Sequence, residues 1–424
     1  MPADPSSSIP SALTQLAHAD PLRPAEAPGL LAYLATIGDP RARKGRRHPL
    51  VAILAMAAAA VLTGARSITA IAEWAADTPQ PVRAALGARR DVPDRWVVPT
   101  ETTIRRTFAR LDAEALAAAI GAWLADRDRP GQRRRAVAVD GKTLRGARHD
   151  GRQAHLLAAM DHATRAVVAQ RQVDGAPGEV PGFRPLLADL DLADTVVTAD
   201  ALQTHRDAAE FLVVAKRAHY LLAVKANQPT LRSEVEALFA AAEPAALDSA
   251  TDLDKGHGRI EERTITVARE VDWLEGARRF PGELRLPDVA CVVRVASRTE
   301  LKDCCRFETR YYISSAPLTA TRAAHGVRGH WRIENSLHWV LDVVFADDQS
   351  RLRKGHGAHN MAVVRHFALN LVRSAPDRPT PARSPLKRGP KSGSNPKAMS
   401  LKLRRKMAGW NSAYMQTVLG AKTR

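Results

Sequence analysis

The chain has 424 residues, enough for two or three domains and a sizeable core, and its 45% hydrophobic content is ordinary for a globular protein. Its formal charge of +18 and pI near 10.4 point to a polyanionic partner, most simply nucleic acid, although an Ala- and Arg-rich usage is also what a G+C-rich bacterial genome imposes. Cys291, Cys304 and Cys305 fit neither a disulfide framework nor a zinc site, no leader is evident, and the most apolar run (Leu50–Leu62) is too short for a bilayer. The expectation is a cytoplasmic, nucleoid-associated protein with no membrane partner.

Residues 1–20, rich in Ser, Pro and Ala, read as a disordered tail. Residues 21–128 read as a helical domain. Leu30, Leu31, Leu34 and Ile37 form a first apolar stripe, stopped by Gly38-Asp39-Pro40, and the basic string Arg41–Arg47 precedes the alanine-rich helix at Leu50–Leu62. Helices follow at Ser67–Ala76 and Thr102–Leu111. In the second, Ile104, Phe108 and Leu111 face inward while Arg105, Arg106 and Arg110 face out. That arginine face is either a DNA-recognition helix of helix-turn-helix type or the solvated side of a bundle helix.

After Arg133-Arg134-Arg135 the periodicity changes, and residues 133–242 read as the first part of an α/β core. Ala136–Val139 is a buried strand stopping on Asp140-Gly141-Lys142. His155–Met160 and Ala166–Val173 alternate like strands, a helix covers Phe183–Leu190, and Thr195–Thr198 is a strand ending on Ala199-Asp200-Ala201. A helix at Arg206–Ala218 leads to a strand at Tyr220–Val224, which ends on Lys225-Ala226-Asn227. Three strands, a helix, a strand, a helix and a strand is the order of a ribonuclease-H-like fold. Asp140 and Asp200 then stand at strand C-terminal ends, where open α/β sheets carry their functional groups.

Residues 243–317, with extended runs at Arg263–Ala268, Val289–Ala296 and Phe307–Ser314, read as a β-rich insertion. Residues 318–373 read as the last part of the core, 374–398 as a basic linker and 399–424 as a basic C-terminal helix. The fold class is therefore α/β: a ribonuclease-H-like catalytic core with a β-rich insertion and an all-α N-terminal domain. Within Gly329–Phe345, helical spacing puts Trp331, Glu334 and His338 on one face and Ile333, Leu337, Val340, Leu341 and Val344 on an apolar face beside it.

Carboxylates brought close together repel and raise one another's pKa, a penalty that a divalent cation removes. Asp140, Asp200 and Glu334 are hard oxygen donors, which select Mg²⁺, with Mn²⁺ as a substitute. Two ions about 3.5–4 Å apart can drive an in-line displacement at phosphorus, with Asp140 bridging, Asp200 on one ion and Glu334 on the other. Lys142, Lys225 and Asn227 are either phosphate contacts or structural and solvated groups. His338 either orients a water or the glutamate or is a satisfied structural histidine. Trp331 and Trp339 either stack on an unpaired base, worth about 1–3 kcal/mol, or pack in the core.

The motifs Val139-Asp140-Gly141-Lys142-Thr143-Leu144-Arg145-Gly146, Thr198-Ala199-Asp200-Ala201, Lys225-Ala226-Asn227-Gln228-Pro229-Thr230-Leu231 and His330-Trp331-Arg332-Ile333-Glu334-Asn335-Ser336-Leu337-His338-Trp339 resemble those of the DDE transposases of bacterial insertion sequences, in the H-repeat-associated (ISAs-type) branch. Residues 39–67 resemble the helical domain that precedes the catalytic core there. The resemblance implies a ribonuclease-H-like core, Mg²⁺ dependence, an acid triad at Asp140, Asp200 and Glu334, and cutting and joining of double-stranded DNA at the element's terminal inverted repeats and in target DNA, by a homodimer or higher oligomer in a synaptic complex. Thr204-His205, Ala176-Pro177-Gly178-Glu179 (which keeps only the acid of the family's Lys-Ser-Asn-Glu), His330 and Leu341 depart from the pattern. A DNA-binding protein of the same fold without catalysis and a nuclease that only hydrolyses are the competing readings.

Overall fold

The computed structural model describes residues 29–125, 136–149, 152–173, 175–256, 259–274, 285–301, 303–375 and 399–419. The expected tail at 1–20, Arg133-Arg134-Arg135 and the expected linker 374–398 beyond Ala375 lie outside the described residues. The chain divides into two compact units, one of residues 1–132, 144–154 and 340–424, the other of residues 133–143 and 155–339.

The first unit opens with α1 (Leu30–Leu34), α2 (Leu50–Thr63), α3 (Ile68–Asp77) and α4 (Gln80–Ala85). Alanine on most sides lets neighbours approach α2 closely, and it is buried from Ala52 to Leu62. Ser67 caps α3 by accepting from the Ala70 N–H at 3.1 Å, satisfying an otherwise orphaned donor. Next comes a departure from the all-helical expectation, an antiparallel hairpin of β1 (Arg89–Val92) and β2 (Arg95–Val97) that turns through Asp94 in the left-handed region. It is too short to show a period in the sequence and is held from outside: Gln80 accepts from the Trp96 N–H at 2.7 Å, and Arg83 donates to the Trp96 carbonyl at 3.2 Å. α5 (Glu101–Arg110) and α6 (Ala113–Ala125) follow, with Ile104 and Phe108 buried under α5.

The second unit is built on the first residues of β3 (Ala136–His149), most of β4 (Arg152–Asp161), β5 (Val167–Val173), α7 (Glu179–Leu187), β6 (Val196–Ala199), α8 (Arg206–Glu210), β7 (His219–Val224), α9 (Pro229–Ala241), β8 (Asp248–Gly256), β9 (Arg259–Ala268), β10 (Cys291–Glu300), β11 (Cys305–Ser314) and α10 (Ala320–Ile333). All these strands form one nine-stranded sheet in the order β5-β4-β3-β6-β7-β11-β10-β9-β8. β3, β6 and β7 are parallel to one another, whereas β11 joins β7 antiparallel, with Tyr311 opposite Val224 and Ser314 opposite Leu221. The β-rich segment therefore extends the sheet and covers the edge that β7 would otherwise expose.

Both faces of the sheet are buried. On β7, Tyr220, Leu222 and Val224 enter a core with Phe183, Leu187, Leu212, Val235 and Phe239, while Leu221 and Ala223 enter another with Ala320, Ala323 and Val327 of α10. Such two-sided burial explains why β6 and β7 read as continuous apolar runs.

The chain continues through a wide π turn at Glu334–His338 into α11 (Trp339–Val344), then α12 (Gly357–Ser374), α13 (Leu401–Trp410) and α14 (Ser412–Leu419). In the first unit α12 packs against α2, α5 and α6. Asn360 on α12 donates to the carbonyls of Phe108 and Leu111 at 2.9 and 2.8 Å, and Arg405 on α13 donates to the Val61 and Leu62 carbonyls at 2.7 and 3.3 Å, satisfying the C-terminal end of α2. The expected basic C-terminal helix breaks at Asn411, which accepts from the Tyr414 N–H at 2.9 Å and so caps a new helix. Among the described residues, no single helix is long and apolar enough to cross a membrane.

Candidate active site

Asp140 does not end its strand. β3 runs on to His149 while its partner β6 stops at Ala199, opposite Val139, so Asp140 and Asp200 each lie one residue past the last pair of that parallel ladder. The two strands thus present their acids side by side. Glu334 comes from the opposite direction in the chain: it follows α10 and opens the π turn. Such wide turns insert an extra residue into a helix and recur at functional positions. Here Ile333 and Leu337 remain buried while Glu334 is exposed.

Burial is the largest influence on Asp140 and pushes its carboxyl up to about 7; the Gly141 N–H counteracts it, and the negative charges of Glu179, Glu334 and Asp200, in that order, add to the rise. Asp200 goes the other way. Burial pushes it up, but the hydrogen bond and charge of Lys225 outweigh that and hold it below the usual carboxylate range. Lys225 Nζ lies 2.6 Å from Asp200 Oδ1.

The other residues singled out in the sequence fall as follows. Asn227 donates to the Ala201 carbonyl at 3.0 Å, bracing the turn after Asp200. His338 places Nδ1 3.6 Å from Asp140 Oδ2, and burial first, then the charges of Lys142 and His155, push it down to about 3, so it stands there as a neutral ring. Lys142 is half-buried on β3. Trp331 is half-buried with the Arg310 guanidinium 4.4 Å over its ring, so that face is already stacked, whereas Trp339 is 58% exposed. In the first unit Arg105, Arg106 and Arg110 all point to solvent from α5, and Arg105 pairs with Glu101.

The contacts that seat α10 have no local signature in the sequence. Thr198 Oγ1 lies 3.2 Å from His162 Nε2 and 3.1 Å from His330 Nδ1, joining β6, the turn after β4 and the helix that leads to Glu334. Burial pushes both histidines down to about 4. A Cβ on Gly329 would overlap the His162 ring, which explains glycine on this face of a long helix.

As the side chains lie, no group of three His, Cys, Asp or Glu among the described residues stands close enough together to hold a metal ion. The donors are nevertheless of the right kind for a hard divalent cation. The elevated Asp140 carboxyl is first the cost of burial and then of the neighbouring acids, both of which a cation offsets, and the Lys225 ammonium already stands in the cationic position against Asp200.

A family model described as Transposase DDE domain matches residues 131–371, more than half of the chain, and one described as DDE_Tnp_1-associated matches residues 31–124. The chain is 29% identical over 404 residues to "Putative transposase YncI" of Escherichia coli O157:H7, covering 92% of this chain and 94% of that protein. It is 30% identical over 351 residues to "Putative protein YbfL" of Escherichia coli K12 (81% and 90% covered) and 34% identical over 244 residues to "H repeat-associated putative transposase YhhI" of the same strain (56% and 63% covered). Among solved structures, the piggyBac transposase synaptic complex with hairpin DNA aligns over 98% of this chain and 82% of its own at 11% identity and a TM-score of 0.39. The family match and the breadth of these alignments lead to one assignment: the chain belongs to the bacterial DDE transposases.

Proposed function

We propose that this transposase cleaves DNA strands at the ends of its insertion sequence and transfers the freed 3′-hydroxyl into target DNA, on a ribonuclease-H-like core with Asp140, Asp200 and Glu334 as the acid triad. The observation that supports it best is the parallel register of β3 and β6, which stands Asp140 and Asp200 side by side one residue past the Val139–Ala199 pair, with Glu334 among the charges that reach Asp140.

Asp140, Asp200 and Glu334 would hold Mg²⁺ or Mn²⁺, in a pair of ions, which when bound lower the pKa of the attacking hydroxyl and stabilise the leaving oxygen. The chain's own part is positional. Lys225 keeps Asp200 ionised, the half-buried neutral His338 flanks Asp140, and the Thr198 contacts set the depth of the helix that carries Glu334. Positioning of this kind contributes much of the acceleration in phosphoryl transfer, where the protein has little covalent chemistry to do. The partner is double-stranded DNA, engaged by a homodimer or larger synaptic assembly in the bacterial cytoplasm. The exposed Arg105, Arg106 and Arg110 supply one basic face for it.

The test is strand nicking and joining on DNA carrying the inverted repeats that flank the gene, with and without Mg²⁺. Nicked and joined products from the wild type, absent in Asp140→Ala, are expected. Equal activity in the variant removes the triad, and nicks without joined products make the chain a nuclease.

A further inference from the structure

Glu179, the acid that acts most strongly on Asp140, lies outside the triad. It opens α7, is 9% exposed, and places Oε1 2.6 Å from His155 Nε2 on β4. The other imidazole nitrogen, His155 Nδ1, lies 2.8 Å from Thr143 Oγ1 on β3. Both ring nitrogens are thus committed, and one continuous chain of hydrogen bonds ties α7 and β4 to the strand that carries Asp140.

Gly141, the residue after Asp140, lies directly on this chain. A Cβ built there would overlap the Glu179 carboxylate and come 2.6 Å from His155 Nε2. The backbone at Asp140 therefore rests on the pair, and any shift of Glu179 or His155 is felt one residue away. A buried carboxylate–imidazole pair is an expensive way to obtain stability, since well-packed apolar side chains of the same volume serve as well or better. What it adds is directional placement, the role that outer hydrogen-bond partners play around ligating side chains.

We propose that Glu179 and His155 form a positioning pair that fixes where the Asp140 carboxylate stands, acting through Gly141 and Thr143 without touching DNA or metal. This rests on the triad reading above, and the experiment separates the two.

Mn²⁺ binding to the full-length chain, free of DNA, is measured by calorimetry, with near-ultraviolet circular dichroism as the check on folding. Asp140→Ala reports on the triad and is expected to lose binding. Glu179→Ala and His155→Ala are expected to weaken Mn²⁺ by about 10–100-fold with the fold retained. Glu179→Gln, which keeps the shape and the acceptor for His155, is expected to retain most of the affinity. Should the alanine variants unfold, His155→Gln keeps the volume but cannot reach both partners at once, and a loss of about 10-fold is expected from it. Wild-type affinity in Glu179→Ala and His155→Ala, or in His155→Gln where that is the variant read, with Asp140→Ala still defective, overturns the positioning pair and leaves the triad standing. So does a loss in Glu179→Gln as deep as in Glu179→Ala. An undiminished Asp140→Ala overturns the triad itself.

Discussion

Lys225 Nζ sits 2.6 Å from Asp200 Oδ1, at the ends of neighbouring parallel strands, and this contact separates the behaviour of two acids on the same sheet. Burial pushes both upward. Asp200, with an ammonium beside it, ends below the ordinary range, whereas Asp140, where burial and three acids outweigh the Gly141 N–H, ends near 7.

Replacing Lys225 by Met is therefore expected to raise the Asp200 carboxyl, since burial is left without its counterweight. Carbon-13 titration of the aspartate carboxyls, with Asp200→Asn to assign the signal, measures this. A signal that titrates as before shows that the ammonium is not what holds Asp200 down.

Asp140 carries a stability consequence. Its folded value near 7 lies above the ordinary carboxyl value of 3.8, so between those limits the folded chain binds more protons than the unfolded one. The contribution is fully present below about 4 and is lost as pH rises through 7. Asp140→Asn should then melt above the wild type at pH 8 in chelator and level with it at pH 4. Thermal scans at the two pH values decide it, and an equal gap at both contradicts the elevated carboxyl.

Gly329→Ala should push α10 away from the His162 ring and stretch the Thr198–His330 contact, moving Glu334 with it. A displacement of about 1 Å at a catalytic group costs on the order of 10²-fold in rate. Nicking rates should fall by that order while the chain still folds, and adding His162→Ala should restore part of the loss by removing the obstacle.

In the first unit, Asp347 and Arg365 form a fully buried ion pair, and Arg365 also donates to the Arg66 carbonyl at 3.1 Å. Removing one partner strands the other charge in the interior, at about 3–5 kcal/mol. Asp347→Ala should lower the urea midpoint accordingly; a shift within error means that solvent reaches the site.

Much of this was legible in the sequence because burial leaves a periodic trace. β6 and β7 are enclosed on both faces and spell apolar runs, and Ile104 and Phe108 mark the inner side of α5. β3 runs past its expected end because only its first residues are uniformly apolar; beyond Asp140 it alternates with polar groups. The motifs contain the three acids, but no local spacing could disclose that His155 and Glu179, 24 residues apart on a strand and a helix, meet under Gly141. The π turn after α10 and the joining of β11 to β7 are likewise settled by tertiary packing and leave no local signature.

The continuous sheet has a mechanical consequence. A lobe joined by a linker can swivel, whereas β8 to β11 are bolted through backbone ladders to β7, the strand beside Asp200. A load placed on the far rim at β8 is carried across the planks as twist rather than absorbed at a hinge, so whatever grips that rim also has a lever on the acid.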